Sequence, residues 1–124
     1  MTGNEYQDLS MRTNDGKSTN RLLNRASTNA VIDYGGILNG CLGLSGEVGE
    51  FNDMVKKWIF HEKDIDIEHA KKELGDVMWY VAMICHSAGW NLDEILEMNV
   101  AKLKARYPDG FDVQKSEHRS AEDV

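Results

Sequence analysis

Two long apolar stripes at helical spacing constrain what this chain can fold into. In the first stripe, apolar residues recur at alternating steps of four and three from Ile37 to Trp58. In the second, the same steps run from Ile67 to Ala88. Such a repeat is typical of a helix that buries one face. Because the 124 residues also contain a single proline, Pro108, the sequence predicts an all-α fold.

The first half of the chain carries signals for three helices. Thr2, followed three residues later by Glu5, has the pattern of a capping box and predicts a short first helix. A second short helix is expected over residues 21–32, ending near two consecutive glycines. The first apolar stripe predicts a long helix that runs to about His61.

The second half carries signals for two more helices and an irregular end. Asp66 is expected to cap the helix of the second stripe, and Gly89 to end it. Asn91 has a capping pattern and predicts a last helix that runs to about Arg106, just before Pro108. The polar, aperiodic residues 112–124 are expected to form a tail.

The stripes predict how these helices assemble. A chain of this length forms one domain, for which we expect residues 1–111. Two helices with long apolar stripes need partners, and a four-helix bundle-like arrangement provides them. Small chains often complete such a core by associating with further copies, so an oligomer is expected.

Charge and the amino-terminal sequence exclude several classes of protein. A net charge of −7 argues against binding to the nucleic-acid backbone, which requires a basic surface. The residues that follow Met1 form neither a signal peptide nor a membrane-spanning run, which predicts a cytoplasmic protein that does not associate with membranes. Cys41 and Cys85 both lie on the apolar stripes and are expected to be reduced core residues.

Each long helix also carries a pair of acidic residues on one shoulder of its stripe. At ~100° per residue, Glu47 and Glu50 lie ~60° and ~120° from the centre of the first stripe, on the same side. Glu73 and Asp76 occupy the same shoulder of the second helix, ~100° and ~160° from its centre. If the two helices pack antiparallel, the two pairs can meet.

Glycines between these acids strengthen the functional interpretation. Gly46, Gly49 and Gly75 lie inside the predicted helices and together cost roughly 3 kcal/mol of helix propensity. A missing side chain beside a carboxylate is expected where another backbone or a ligand comes close. Pairs of glutamates three apart are common on solvated helix faces, but two such pairs with interleaved glycines favour a site.

Converging carboxylates would repel one another unless a cation lies among them. Oxygen-only ligands favour Mg²⁺, or Mn²⁺, which also binds substrate phosphates. A di-iron bundle is a rival interpretation, but that site uses Glu-x-x-His motifs, and neither acidic pair has a histidine at its second position. His69 is interpreted as a surface residue.

The acidic segments resemble a known family. "GLSGEVGE", 22 further residues and then "ELGD" resemble the signature of the MazG-like all-α nucleoside triphosphate pyrophosphohydrolases. The segments "NEYQDLSMRT", "VKKWIFH" and "NVAKLKARYPDGF" are similar to small, single-domain members, so the resemblance covers residues 4–111. It implies a bundle-like fold assembled as a homodimer or a dimer of dimers. It also implies Mg²⁺-dependent hydrolysis of a nucleoside triphosphate, ribose or deoxyribose, to the monophosphate and pyrophosphate.

The resemblance also implies roles for individual residues. The metal ligands and catalytic carboxylates would be Glu47, Glu50, Glu73 and Asp76. The family often places basic or polar groups of the last helix near the phosphates, and the matching segment offers Asn99, Lys102 and Arg106.

Two further substrate contacts are suggested by the residues themselves. Lys57 lies seven residues after Glu50 on the same side of the helix, so it is a candidate phosphate contact or a solvated residue. Tyr80 is the preferred aromatic residue for stacking on a base. Trp58 is interpreted as core, and Trp79 as a residue on the far side of its helix that contacts another subunit.

The mechanism expected from these residues is direct attack by water. No nucleophile constellation is visible, and a carboxylate, Glu50 or Glu47, would orient or deprotonate the water. A non-catalytic helical oligomer whose acids bind a structural cation is the alternative from another class. Narrower hydrolysis of dUTP or dCTP also remains open, whereas an activity on phosphoribosyl-ATP is disfavoured because no separate recognition segment is present.

Overall fold

The protein is built from helices, as the sequence predicts. A computed structural model describes residues 1–28 and 31–111, and no strand occurs in these ranges. None of the helices there combines the length and apolar character that crossing a bilayer requires. The expected tail, residues 112–124, lies outside the described residues. The five helices are α1 (Gly3–Met11), α2 (Ser18–Thr28), α3 (Tyr34–Phe60), α4 (Ile67–Ala88) and α5 (Leu92–Arg106).

Most of the predicted helix ends are confirmed. Thr2 and Glu5 form the reciprocal capping box of α1, with both hydrogen bonds at 3.1 Å. The side chains of Asp66 and Asn91 cap α4 and α5. Gly89 ends α4 with a left-handed backbone (φ 75°), which glycine adopts without steric cost.

Two boundaries differ from the prediction. Helix α2 begins at Ser18 instead of Arg21, and its last described residue is Thr28. Residues 29–30 lie outside the described residues, and Val31 and Ile32, which were predicted to be helical, form a bend. Helix α3 begins earlier than its stripe, because the carboxylate of Asp33 accepts a hydrogen bond of 2.9 Å from the Gly36 N–H. The Asp33 N–H also donates to the Ser87 carbonyl at 2.9 Å, which ties the start of α3 to the end of α4.

Helices α3 and α4 form an antiparallel pair in very close contact. A Cβ added to Gly40 would lie 2.7 Å from Cγ1 of Ile84, and one added to Gly43 would overlap the ring of Tyr80. These positions therefore accept only glycine without rearrangement. We call this line of contact the seam. Along it, Gly36 meets Ser87, Gly40 meets Ile84 and Gly43 meets Tyr80.

The seam does not coincide with the predicted apolar stripe. At ~100° per residue the three seam glycines lie ~40–100° from Leu44, on the same shoulder as Glu47. Consequently the stripe is only half covered: Cys41 and Val48 are exposed, and Trp58 is 49% exposed. The prediction that Cys41 is a core residue is therefore wrong, whereas Cys85 is buried as expected, and both thiols are free.

Substituting one seam glycine and one exposed glycine of α3 tests this packing. We expect Gly40→Ala to lower the free energy of unfolding by about 1–3 kcal/mol, because the added methyl group must displace the stiff, branched side chain of Ile84. Gly49→Ala, where the added Cβ meets no atom within 4 Å, is expected to raise it by up to about 1 kcal/mol. Urea unfolding at one protein concentration measures both changes. Equal effects of the two substitutions would contradict the seam.

Candidate metal centre

The close packing of α3 and α4 brings acidic side chains from both helices together. One carboxylate oxygen each from Glu47, Glu73 and Asp76 lies within 4.8 Å of the others. Glu47 continues the line of the seam glycines, four residues after Gly43, so the contact between the backbones delivers its side chain to α4. The predicted meeting of the two acid pairs is thus observed for three of the four carboxylates, which we call the acid cluster.

The acid cluster is electrostatically strained in the absence of a proton or a cation. The pKa of Glu47 is raised to about 7, first because Glu73 is close enough to share a proton with it, then by burial. Repulsion from the other carboxylates raises the pKa further. One oxygen of Glu47 (Oε2) and one of Glu73 (Oε2) are inaccessible to solvent and have no hydrogen-bond partner among the described residues.

These properties fit a hard divalent cation. Buried polar atoms normally have partners, and two orphaned carboxylate oxygens on facing helices supply two anionic ligands at once. A cation bound there would give both oxygens a partner and reduce the repulsion between the carboxylates. Oxygen-only donors favour Mg²⁺ or Mn²⁺ over softer ions. The donor set therefore fits the cation that the sequence predicts.

Glu50 and Lys57 occupy different positions relative to the acid cluster. Glu50 is exposed and lies outside the three-residue group, although it is close enough to raise the pKa of Glu47. The ammonium group of Lys57 lies 2.7 Å from the carboxylate of Asp53, which also contacts Lys56 at 3.3 Å. Lys57 is thus held along α3 by an acid that the sequence argument did not consider.

The sequence argument considered His69 but did not predict its contact with the acid cluster. Nε2 of His69 lies 3.6 Å from Oε1 of Glu73. His69 is largely exposed, as predicted for a surface residue, but it touches a candidate ligand. Its spacing four residues before Glu73 is the signal that reveals this contact, because residues i and i+4 are neighbours on a helix.

The structure does not bring the candidate residues of α5 to the acid cluster within one chain. α5 makes at most slight contact with the other helices of the described chain, whereas α3 and α4 pack along their lengths. Asn99 is exposed and Lys102 is half-buried. Arg106 is 7% exposed, with its guanidinium carbon 5.2 Å from the ring centroid of Tyr107. The phosphate contacts expected of these three residues remain predictions.

Two aromatic side chains border the acids. A pocket of about 330 Å³ is lined by Glu47, Asp76, Trp79 and Tyr80. The prediction that Trp79 lies on the far side of its helix is wrong, because Trp79 follows Asp76 by three residues and shares its face. Tyr80, the predicted stacking residue, is half-buried with its ring against Gly43.

The described residues thus form an all-α protein with a candidate cation site between two of its helices. Residues 38–111, more than half of the chain, match the family model described as the MazG nucleotide pyrophosphohydrolase domain. The chain therefore belongs to the MazG nucleotide pyrophosphohydrolase family. The family is described as nucleotide pyrophosphohydrolases, and such enzymes generally depend on divalent metal ions.

The chain also has a relative among phage proteins. The chain is similar to the "Gene 37 protein" of Mycobacterium phage L5, with 40% identity over 70 residues. The similar region is 52% of this chain and 60% of the phage protein, so the chain spans about three fifths of the length of that relative. No solved structure matches the chain.

The raised pKa of Glu47 predicts how stability depends on pH without metal. Between the ordinary value of 4.5 and about 7, the folded protein binds more protons at this residue than the unfolded chain does. The corresponding stability is therefore fully present below the ordinary pKa and is lost as the pH rises through about 7. Urea unfolding in the presence of a chelator, from about pH 5 to about pH 8, measures this loss.

A matched pair of substitutions identifies the residue responsible. Glu47→Gln is expected to flatten the pH dependence and to stabilise the metal-free protein above pH 7, because the amide cannot ionise. Glu68→Gln, on the exposed start of α4, is expected to leave the profile unchanged. Mg²⁺ is expected to stabilise the wild-type protein more at high pH than at low pH. An unaltered profile in Glu47→Gln would contradict the shared proton.

Proposed function

We propose that the chain is a divalent-cation-dependent nucleoside triphosphate pyrophosphohydrolase. Its products would be a nucleoside monophosphate, ribose or deoxyribose, and pyrophosphate. One observation carries the proposal: in a chain of this family, facing helices bring three carboxylates within 4.8 Å of one another and leave two of their oxygens without partners. A triphosphate carries several negative charges, and a cation would offset its repulsion from the acidic chain.

The roles of the carboxylates follow from their positions. Glu47, Glu73 and Asp76 would hold Mg²⁺, or Mn²⁺ in its place. When bound, the cation neutralises charge on the triphosphate and lowers the pKa of water. Glu50 lies outside the cluster, and its own carboxylate is exposed. A carboxylate that water can reach beside the cation site suits a general base.

The proposed reaction is a direct displacement at the α-phosphorus atom. Glu50 accepts a proton from a water molecule as the water oxygen bonds to this phosphorus. The bond from the α-phosphorus to the bridging oxygen of the β-phosphate breaks, and pyrophosphate leaves. Lys57, held by Asp53 on the same helix, lies on the Glu50 side of α3 and can offer positive charge to the phosphates.

Pyrophosphate release tests the proposed function. The purified protein with Mg²⁺ and a panel of ribo- and deoxyribonucleoside triphosphates is expected to release pyrophosphate and monophosphate in equal amounts. Glu50→Gln is expected to lower kcat by about 10²- to 10⁴-fold, the usual contribution of a general base. Its helical circular dichroism should remain unchanged, because Glu50 is exposed.

Glu68→Gln provides the matched control, because the same substitution is made on an exposed part of α4. It is expected to retain the wild-type rate. If Glu50→Gln turns over at the wild-type rate, the role of this residue is wrong. If no triphosphate is cleaved while Mg²⁺ still raises the melting temperature, the acids serve a structural cation in a non-catalytic protein.

We also propose that α5 joins copies of this chain. A 15-residue helix is marginal in water without tertiary packing, and α5 makes at most slight contact with the other helices of the described residues. It nevertheless exposes Leu96 (52%), Met98 (63%) and Val100 (49%). Apolar side chains of this size on a helix favour burial against another surface. A homodimer, or a tetramer made of two dimers, provides that surface without any other partner.

Sedimentation velocity tests this association. The wild-type protein is expected to sediment as a dimer or tetramer. Met98→Glu is expected to shift the population towards monomers, because a charge would have to be buried without a partner. Glu97→Gln, a neighbouring polar change on α5, serves as the control. A monomeric wild-type protein, or an unchanged assembly in Met98→Glu, would contradict the proposal.

A further inference from the structure

The pocket beside the acid cluster has two chemically different walls. Glu47 and Asp76 supply carboxylates, and Trp79 and Tyr80 supply aromatic rings. Nothing in the proposed hydrolysis requires an aromatic ring, because attack and cleavage occur at the α-phosphorus atom and the proton passes from water to Glu50. The aromatic wall therefore needs an explanation of its own.

The two aromatic residues are not equivalent. One side of the Tyr80 ring lies against Gly43 of α3, where a Cβ would overlap it, so α3 covers that side. Trp79 is 59% exposed. The two rings meet at 85° with centroids 5.0 Å apart, and a perpendicular contact covers the face of only one of them. At least one face of the Trp79 indole is therefore open.

Helix geometry places the open indole beside the acids. Trp79 follows Asp76 by three residues and Gly75 by four, so both belong to the turn over which its side chain leans. Gly75 has no side chain, and a Cβ added there would meet no atom within 4 Å. The space where a Gly75 side chain would lie is thus empty of protein, and Trp79 projects from α4 between this space and Asp76.

We propose that Trp79 stacks on the base of the nucleotide and so determines how strongly the site distinguishes a nucleotide from phosphate alone. This inference rests on the proposed function, because it assumes that the triphosphate occupies the acid cluster. An aromatic face binds any base through stacking, whereas carboxylates at the same pocket cannot. Tyr80 contacts the indole edge to face and limits its rotation, so it positions Trp79.

Kinetics of two substitutions and a ligand without a base test the assignment. Trp79→Ala is expected to raise KM for nucleoside triphosphates about ten- to a hundredfold with little change in kcat. Trp79→Phe, which keeps an aromatic face, is expected to stay close to the wild type. Inorganic tripolyphosphate with Mg²⁺ is expected to inhibit the wild type and Trp79→Ala equally, because it has phosphates but no base. Trp90→Ala serves as the control, since Trp90 is 61% exposed and borders a different pocket.

Fluorescence supplies a readout that does not depend on turnover. In a Trp58→Phe, Trp90→Phe background, Trp79 is the sole tryptophan. An α,β-imido nucleoside triphosphate with Mg²⁺ is expected to quench it, and tripolyphosphate is not. Quenching without turnover would overturn the proposed hydrolysis but keep the base contact. Turnover with an unchanged KM in Trp79→Ala would overturn the base contact but keep the hydrolysis.

A third result would assign Trp79 to a different role. If Trp79→Ala changes the sedimentation coefficient and leaves both KM and nucleotide quenching unaltered, the indole packs against another copy of the chain. That outcome also overturns the inference.

Discussion

The backbone contact between α3 and α4 is the constraint on which the candidate site depends. Gly40 and Gly43 lie so close to α4 that a methyl group would collide with Ile84 or Tyr80. Glu47 is the next residue on the same helical line, and it reaches Glu73 because the two helices are still close there. A seam of small residues thus sets the separation of carboxylates that lie beyond it, and the geometry of the site follows from backbone packing.

Much of this arrangement could be predicted from the sequence, because it rests on local signals. Thr2 and Asp66 cap helices through their side chains, and Gly89 ends α4 through its left-handed backbone. Each of these caps was predicted from the adjacent sequence alone. The convergence of Glu47 with Glu73 followed from helical angles and an antiparallel pair.

The differences from the prediction arise partly from contacts between helices, which no single helix determines, and partly from neighbours on one helix that the prediction did not compare. Apolar periodicity placed the centre of the buried face of α3 at Leu44, but α3 packs against α4 through its glycines. Close approach of the two backbones there competes with burial of the apolar side chains. Cys41 is consequently exposed. Trp79 was misplaced for a simpler reason: its spacing of three from Asp76 was not used. The Lys57 contact with Asp53 and the His69 contact with Glu73 follow the same rule of neighbours on a helix.

The glycines of α3 and α4 fall into two groups with different physical explanations. Those of the seam are explained by the fold, since no larger residue fits. Gly46, Gly49 and Gly75 are not, because the space where each Cβ would lie contains no protein atom within 4 Å. Alanine at each would favour the helix by about 1 kcal/mol, so this chain on its own gains nothing from them. All three flank the carboxylates, which is the expected position if a nucleotide, or another copy of the chain, approaches the helices there.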